Sequence, residues 1–224
     1  MVIRAYQARV TEAMSKSQQS FTTLPGLKYL PGYFGPQAQK DLMATILSAA
    51  EEAPFYAPTM PRSGRPFSVR MTNLGPLGWV SDRAGYRYQA THPETGRPWP
   101  VIPEMLLSLW REVGDYPHPP EACLVNLYRE GAKMGLHRDE DEEEFAAPVV
   151  SVSLGDTAIF RIGGLDRGGK TETLKLASSD VVVMGGPSRM RYHGIDRVLS
   201  GSSTLVPGGG RINLTLRRIS KPVL

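Results

Sequence analysis

The chain has 224 residues, a length that suits a single domain and is ample for a sizeable core. Its 41% hydrophobic and 21% charged fractions exclude a disordered or fibrous chain, and no apolar run approaches a membrane span. The net charge is +4 and the pI about 9.2 despite an acidic run, and the basic excess is unevenly distributed. Cys123 is the sole cysteine, so no internal disulfide and no cysteine-cluster metal site can form. Its apolar neighbours in ACLVNL make it a core filler. Arg4 interrupts the first residues where an export signal needs an apolar stretch, and the expected location is cytoplasmic.

In chain order, residues 1–34 read as extended and loop-like, with turns at Pro25-Gly26 and Pro31-Gly32. Gln37–Ala53 reads as a helix, with Leu42, Met43, Ile46, Leu47 and Ala50 on one stripe and Pro54 as its stop. Residues 54–100 hold many Pro, Gly and Arg, and SVRMTNL is a strand candidate. From Arg62 to Arg97 six arginines meet only Asp82 and Glu94, interleaved with Phe67, Trp79, Tyr86, Tyr88 and Trp99. Arginines mixed with aromatics suit phosphates and stacked bases; the alternative is a basic surface over core aromatics. Pro103–Val113 reads as a second helix, with Met105, Leu106, Leu109 and Trp110 as its apolar face and Gly114 closing it.

The second half changes character. ACLVNLYR, VVSVSL, AIFRI, TETLKL, DVVVMG, STLV and RINLTLRRI are short β-rich runs with Gly, Asp or Ser between them. Such punctuation predicts an antiparallel sandwich or barrel. The expected fold is α+β: a jelly-roll core over 116–220, braced by the helices and an aromatic, basic flap of 1–115, all in one catalytic domain.

Chemistry concentrates on few residues. Of four histidines, His92 and His118 precede prolines and read as surface residues, leaving His137 and His193 in the β half. His137 opens HRDEDEEE. If residues 135–141 are extended, His137, Asp139 and Asp141 share one face, Arg138 and Glu140 take the other, and Glu142–Glu144 remain solvated loop. Two imidazoles and a carboxylate form the facial triad of non-haem iron oxygenases. A strand-end histidine beside a solvated acid run is the other reading. In RINLTLRRI, Arg211, Asn213, Thr215 and Arg217 alternate with Ile212, Leu214 and Leu216. Inward arginines would need anions, such as the two carboxylates of a dicarboxylate; an edge strand with its arginines in water is the alternative.

Taken together, NLYREGAKMGLHRD, VVSVSLG, AIFRIGGLDR, DVVVMGGPSRMRYHG and RINLTLRR, with MTNLGPLGW, GYRY and GRPWP upstream, resemble the AlkB family of Fe(II)/2-oxoglutarate-dependent dioxygenases, bacterial repair branch. The resemblance spans about residues 60–218. It implies a double-stranded β-helix with a nucleotide-recognition flap. It implies Fe(II) on His137, Asp139 and His193, with 2-oxoglutarate and O2 as cosubstrates. Arg211 would meet the keto-acid end near the metal and Arg217 the distal carboxylate, with Asn126, Tyr128 and Asn213 lining the same pocket. Trp79 would stack on the damaged base opposite the ring of His193, Asp141 would meet its exocyclic nitrogen, Arg167 would lie near it, and Tyr86 near the nucleotide backbone. The implied activity is oxidative demethylation of 1-methyladenine and 3-methylcytosine in alkylated DNA, with RNA as a second substrate, releasing formaldehyde, succinate and CO2. The protein would act as a monomer with no membrane partner. A tRNA-base or protein oxygenase and a non-catalytic nucleic-acid-binding module are the rivals. Arg138, Glu140 and Ile212 depart from the family pattern and bear on substrate preference.

Overall fold

A computed structural model describes residues 24–222. Twelve strands and two helices follow one another among them: β1 (Leu27–Leu30), α1 (Pro36–Glu52), β2 (Arg70–Leu74), β3 (Gly78–Asp82), β4 (Gly85–Gln89), α2 (Glu104–Val113), β5 (Ala122–Tyr128), β6 (Met134–His137), β7 (Val149–Gly155), β8 (Thr157–Ile162), β9 (Glu172–Leu176), β10 (Val181–Met184), β11 (His193–Leu199) and β12 (Arg211–Arg217). A six-stranded sheet runs β1-β10-β7-β12-β5-β2, and a four-stranded sheet runs β6-β11-β8-β9. Every pairing is antiparallel. β3 and β4 form a separate hairpin. No helix among the described residues is long and apolar enough to cross a membrane.

Period-two alternation sorts the large sheet into an apolar face and a working face. Cys123, Val125 and Leu127 of β5, Val150, Val152 and Leu154 of β7, and Ile212, Leu214 and Leu216 of β12 form one cluster with Leu42, Met43 and Ile46 of α1 and Leu106, Leu109 and Trp110 of α2. The stripes read from helical periodicity are the ones that cover this face. The other face looks across to the small sheet. Leu124, Val149, Val182 and Met184 meet Phe160, Ile162, Leu174, Leu176 and Ile195 there. The result is the two-layer jelly-roll expected, with helices outside one sheet only, but the core is not confined to 116–220: β1 and β2, from the segment assigned to support and flap, form the two edges of the large sheet.

Three expectations fail. STLV at 203–206 is not a strand. The Asp156 carboxylate accepts from the amides of Gly201, Ser203 and Gly210, so side-chain bonds replace a ladder there. His92 is not a surface residue. It is 1% exposed, donates from Nε2 to the Pro54 carbonyl at 2.8 Å, and accepts the amides of Glu94 and Thr95 on Nδ1. β6 ends at His137, so the run from Arg138 onward is not extended strand. His118 is exposed and Cys123 buried, as read.

Leu214 is fully buried between β5, β7 and the helices. Leu214→Ala should lower unfolding free energy by about 2–5 kcal/mol in urea denaturation. Its side chain points away from the working face, so metal affinity should survive.

Candidate active site

The working face opens into a pocket of about 360 Å³ between the sheets, roofed by the β3–β4 hairpin. That volume lies within the range of small-molecule sites. β5, β7 and β12 line one wall with Asn126, Tyr128, Ser151, Arg211, Asn213, Thr215 and Arg217. β6 and β11 bring His137 and His193 into direct register across the small sheet. One donor atom from each of His137, Asp139 and His193 lies within 4.8 Å of the others, a group that could hold a metal ion. Nε2 of His137 is 3.8 Å from Asp139 Oδ1, and Nε2 of His193 is 3.9 Å from Oδ2.

Two backbone carbonyls orient the imidazoles. Nδ1 of His137 donates to Gly135 O and Nδ1 of His193 to Arg191 O, each at 3.0 Å. A carbonyl only accepts, so both Nδ1 atoms carry the proton and both Nε2 lone pairs face Asp139. Burial pulls the His193 pKa down to about 4, so its ring is neutral and ligand-ready at neutral pH. Burial alone would raise the Asp139 pKa. Arg217, with His193, His137 and Arg189, outweighs it and holds the carboxyl well below the usual range.

Gly194 makes the histidine register attainable. A Cβ there would stand 2.6 Å from Met134 O and 2.8 Å from Gly135 O, on the strand that carries His137. Backbone carbonyls cannot swing aside, so Gly194→Ala should push β11 off β6. Its expected outcome is at least a tenfold loss of Mn(II) affinity by calorimetry, from roughly 1.4 kcal/mol of lost alignment.

The two β12 arginines occupy opposite ends of the pocket, in the reverse of the expected order. Arg217 is at the metal end: its Nε and Nη2 reach Asp139 Oδ2 at 3.1 and 2.9 Å. Arg211 lies six residues away, about 20 Å along an extended strand, and donates to Ser153 Oγ at 2.7 Å and Leu176 O at 3.4 Å. Arg211 is fully buried, its Nε has no partner, and burial pulls its pKa down to about 10. It stays charged at neutral pH with no carboxylate in ion-pair contact among the described residues. The side-chain oxygen of Asn126 is likewise buried and unpartnered, and turning that amide over would offer an N–H instead. An unpaired buried cation beside free amide and hydroxyl groups is a fit for a carboxylate-bearing cosubstrate. Asn213 donates to Ser151 Oγ and Val152 O, and the Tyr128 hydroxyl is pushed up to about 12 by burial.

On the substrate side, Trp79, Tyr86, Asp141 and Arg167 all line the pocket. Trp79 Nε1 donates to Asp141 Oδ2 at 2.8 Å, and the Tyr86 ring stacks on Trp79 with centroids 5.5 Å apart. Partial desolvation at the pocket wall raises the Asp141 pKa, with the Trp79 bond opposing it. The ring expected across from Trp79 needs correction. His193 is 7% exposed and packed between Phe160 and His137, whereas the His137 side chain is 41% exposed. His137 is therefore the histidine that a stacked base can reach. Arg138 pairs with Glu140 and sits 5.5 Å over the Tyr192 ring.

Glu142 overturns its assignment to solvated loop. Its side chain is 1% exposed, and it meets Arg189, Arg217 and the Tyr88 hydroxyl. Neither Arg189 nor Glu142 was singled out from sequence. The available signal was indirect: a buried arginine near a run of acids is a candidate to draw one of them inward.

Residues 26–217 match the 2OG-Fe(II) oxygenase superfamily. The chain is an AlkB-family dioxygenase. It is 54% identical over 218 residues to the alpha-ketoglutarate-dependent dioxygenase AlkB homolog of Caulobacter vibrioides, covering 97% of each chain. It is 43% identical over 192 residues to AlkB of Escherichia coli, covering 84% of this chain and 88% of that one. The solved structure of OsALKBH1 superposes with a TM-score of 0.76 at 31% identity, over 87% of this chain and 97% of that one. The superfamily works with Fe(II), 2-oxoglutarate and O2, and the His-Asp-His group and the unpaired Arg211 answer those requirements.

Proposed function

We propose that this AlkB enzyme removes N-linked methyl groups from 1-methyladenine and 3-methylcytosine in DNA, and from the same bases in RNA. Oxidative demethylation of alkylated bases in repair is the activity of its family. The observation that carries the finer reading is the pairing of an aromatic roof, Trp79, with a carboxylate, Asp141, over the metal group. Both lesions are cationic. A cation is favoured by the indole face and by the Asp141 charge, and neither feature would select a neutral base. Extrusion of the nucleotide costs least where methylation has already broken pairing.

In this reading His137, Asp139 and His193 hold the iron. Arg211 pairs with the distal carboxylate of 2-oxoglutarate, helped by Ser153 and Tyr128, while Arg217 serves the metal end through Asp139. Asn126 and Asn213 line the chain between. When bound, iron and 2-oxoglutarate with O2 supply the oxidation that hydroxylates the N-methyl group, yielding formaldehyde, succinate, CO2 and the restored base. A base would be held between Trp79 and His137 with its exocyclic nitrogen on Asp141, in the pocket that the His137–Asp139–His193 group shares. Arg167, exposed on the β8–β9 loop, stands near the base, and Tyr86 near the backbone. Hairpin and core share one pocket, which supports a single catalytic domain, and the proposed working unit is a monomer. A cytoplasmic setting suits a ferrous site and a free, buried Cys123.

An aerobic assay with Fe(II), 2-oxoglutarate and an oligonucleotide bearing 1-methyladenine should show loss of one methyl group by mass, and an unchanged mass with metal and cosubstrate bound would overturn the reading. Asp141 attracts the cation only when ionised, above its raised pKa. As pH falls through that pKa, KM for the methylated oligonucleotide should rise. In Asp141→Asn the acid limb should flatten and KM at neutral pH should rise about tenfold, from loss of one charged contact of roughly 1.5 kcal/mol.

A further inference from the structure

Glu142 stands where three parts of the molecule meet. Its Oε2 accepts Arg189 Nη2 at 3.0 Å. Its Oε1 accepts the Tyr88 hydroxyl at 2.5 Å and lies 3.4 Å from Arg217 Nε. Arg189 also donates to the carbonyls of Asp139 and Ala147, at 2.8 and 3.1 Å. The side chains of Asp139, Glu142, Arg189 and Arg217 are all under 10% exposed. Two acids thus balance two arginines inside the protein, and removing any one leaves a buried charge unpaired.

Tyr88 brings the recognition hairpin into this group. It stands directly opposite Trp79 in the β3–β4 register. The hairpin is therefore tied to the Asp141–Glu142 segment twice, by Trp79 to Asp141 and by Tyr88 to Glu142. The two ties differ. Asp141 is exposed, and its carboxylate is the one a cationic base would claim. Glu142 is buried, its two oxygens already taken by Tyr88 and the two arginines, and it continues to Arg217 and from there to the metal end. A base that takes Asp141 from Trp79 leaves the Tyr88–Glu142 bond as the hairpin's hold on the metal loop.

We propose that Glu142 is a positioning residue that links Tyr88 of the hairpin to Arg217, so that docking of a methylated base and retention of 2-oxoglutarate strengthen each other. The proposal rests on the demethylase reading above. By reciprocity, the factor by which the base tightens 2-oxoglutarate equals the factor by which 2-oxoglutarate tightens the base. A merely structural cluster would change stability or one affinity, and would leave that factor alone.

The test titrates 2-oxoglutarate into the full-length Mn(II)-loaded protein without air, with and without a saturating oligonucleotide bearing 1-methyladenine. The readout is the ratio of the two dissociation constants, which cancels any change in basal affinity. The wild-type ratio should be about tenfold, within the usual span of such couplings. In Tyr88→Phe, which keeps the ring and removes only the hydroxyl, the ratio should fall below about twofold. Glu142→Gln, which keeps the shape and removes the charge, should give the same collapse, and so covers the case in which one variant fails to fold. A ratio that stays at the wild-type value in both variants overturns the proposal. A wild-type ratio near one alongside intact demethylation overturns it while sparing the function. Failure of the wild-type protein to bind 2-oxoglutarate would overturn both.

Discussion

The ion pair between Arg217 and Asp139 is the contact on which the site depends. Asp139 is the only carboxylate in the metal group, and burial pushes it toward the protonated form. A protonated acid cannot serve a divalent metal. The guanidinium of Arg217 reverses that balance, and burial, which would discharge an arginine, is itself outweighed by Asp139, Tyr88 and Glu142. Neither charge would be tenable in that position alone. The terminal strand and the loop after β6 are thus locked together, with Arg189 fixing the same loop from the far side.

The large sheet shows how one strand can serve two ends at once. On β12 the even positions seal the helix-facing core and the odd positions furnish the pocket. A one-residue slip would exchange Leu214 for Asn213 and destroy both. The register on β5 and β7 is fixed on both sides of β12, which is why a polar stripe of two arginines, an asparagine and a threonine can persist in the interior.

Period-two alternation made much of this legible from sequence. It assigned the inward row of RINLTLRR and grouped His137 with Asp139, and the helical stripes of α1 and α2 followed from the same kind of counting. It failed where the backbone stops being periodic. Asp139 and Asp141 do reach the pocket, yet β6 has already ended at His137, so the shared face belongs to a loop held by side chains. Past that point parity has no authority, and Glu142 went inward against expectation because Arg189, 47 residues later, required it. The exchange of ends between Arg211 and Arg217 has the same origin. Spacing shows that both point inward, but only the path of the metal loop decides which end is near the iron.

Charge is also sorted by depth. Arg62, Arg65, Arg70, Arg83 and Arg97 are exposed around the flap, whereas Arg87 is held by Asp82 and contributes little net field. The pocket mouth below them is lined by Glu140 and Asp141. A nucleic acid approaching this surface meets cations where its phosphates lie and anions where a base would enter. A neutral base gains only stacking on Trp79, while a methylated, cationic base gains the field of Asp141 as well. The basic composition thus favours the polymer and the acidic run favours the lesion. Within the run of six acids the tasks differ: Asp139 serves the metal group, Asp141 faces the pocket, and Glu142 neutralises Arg189 and Arg217.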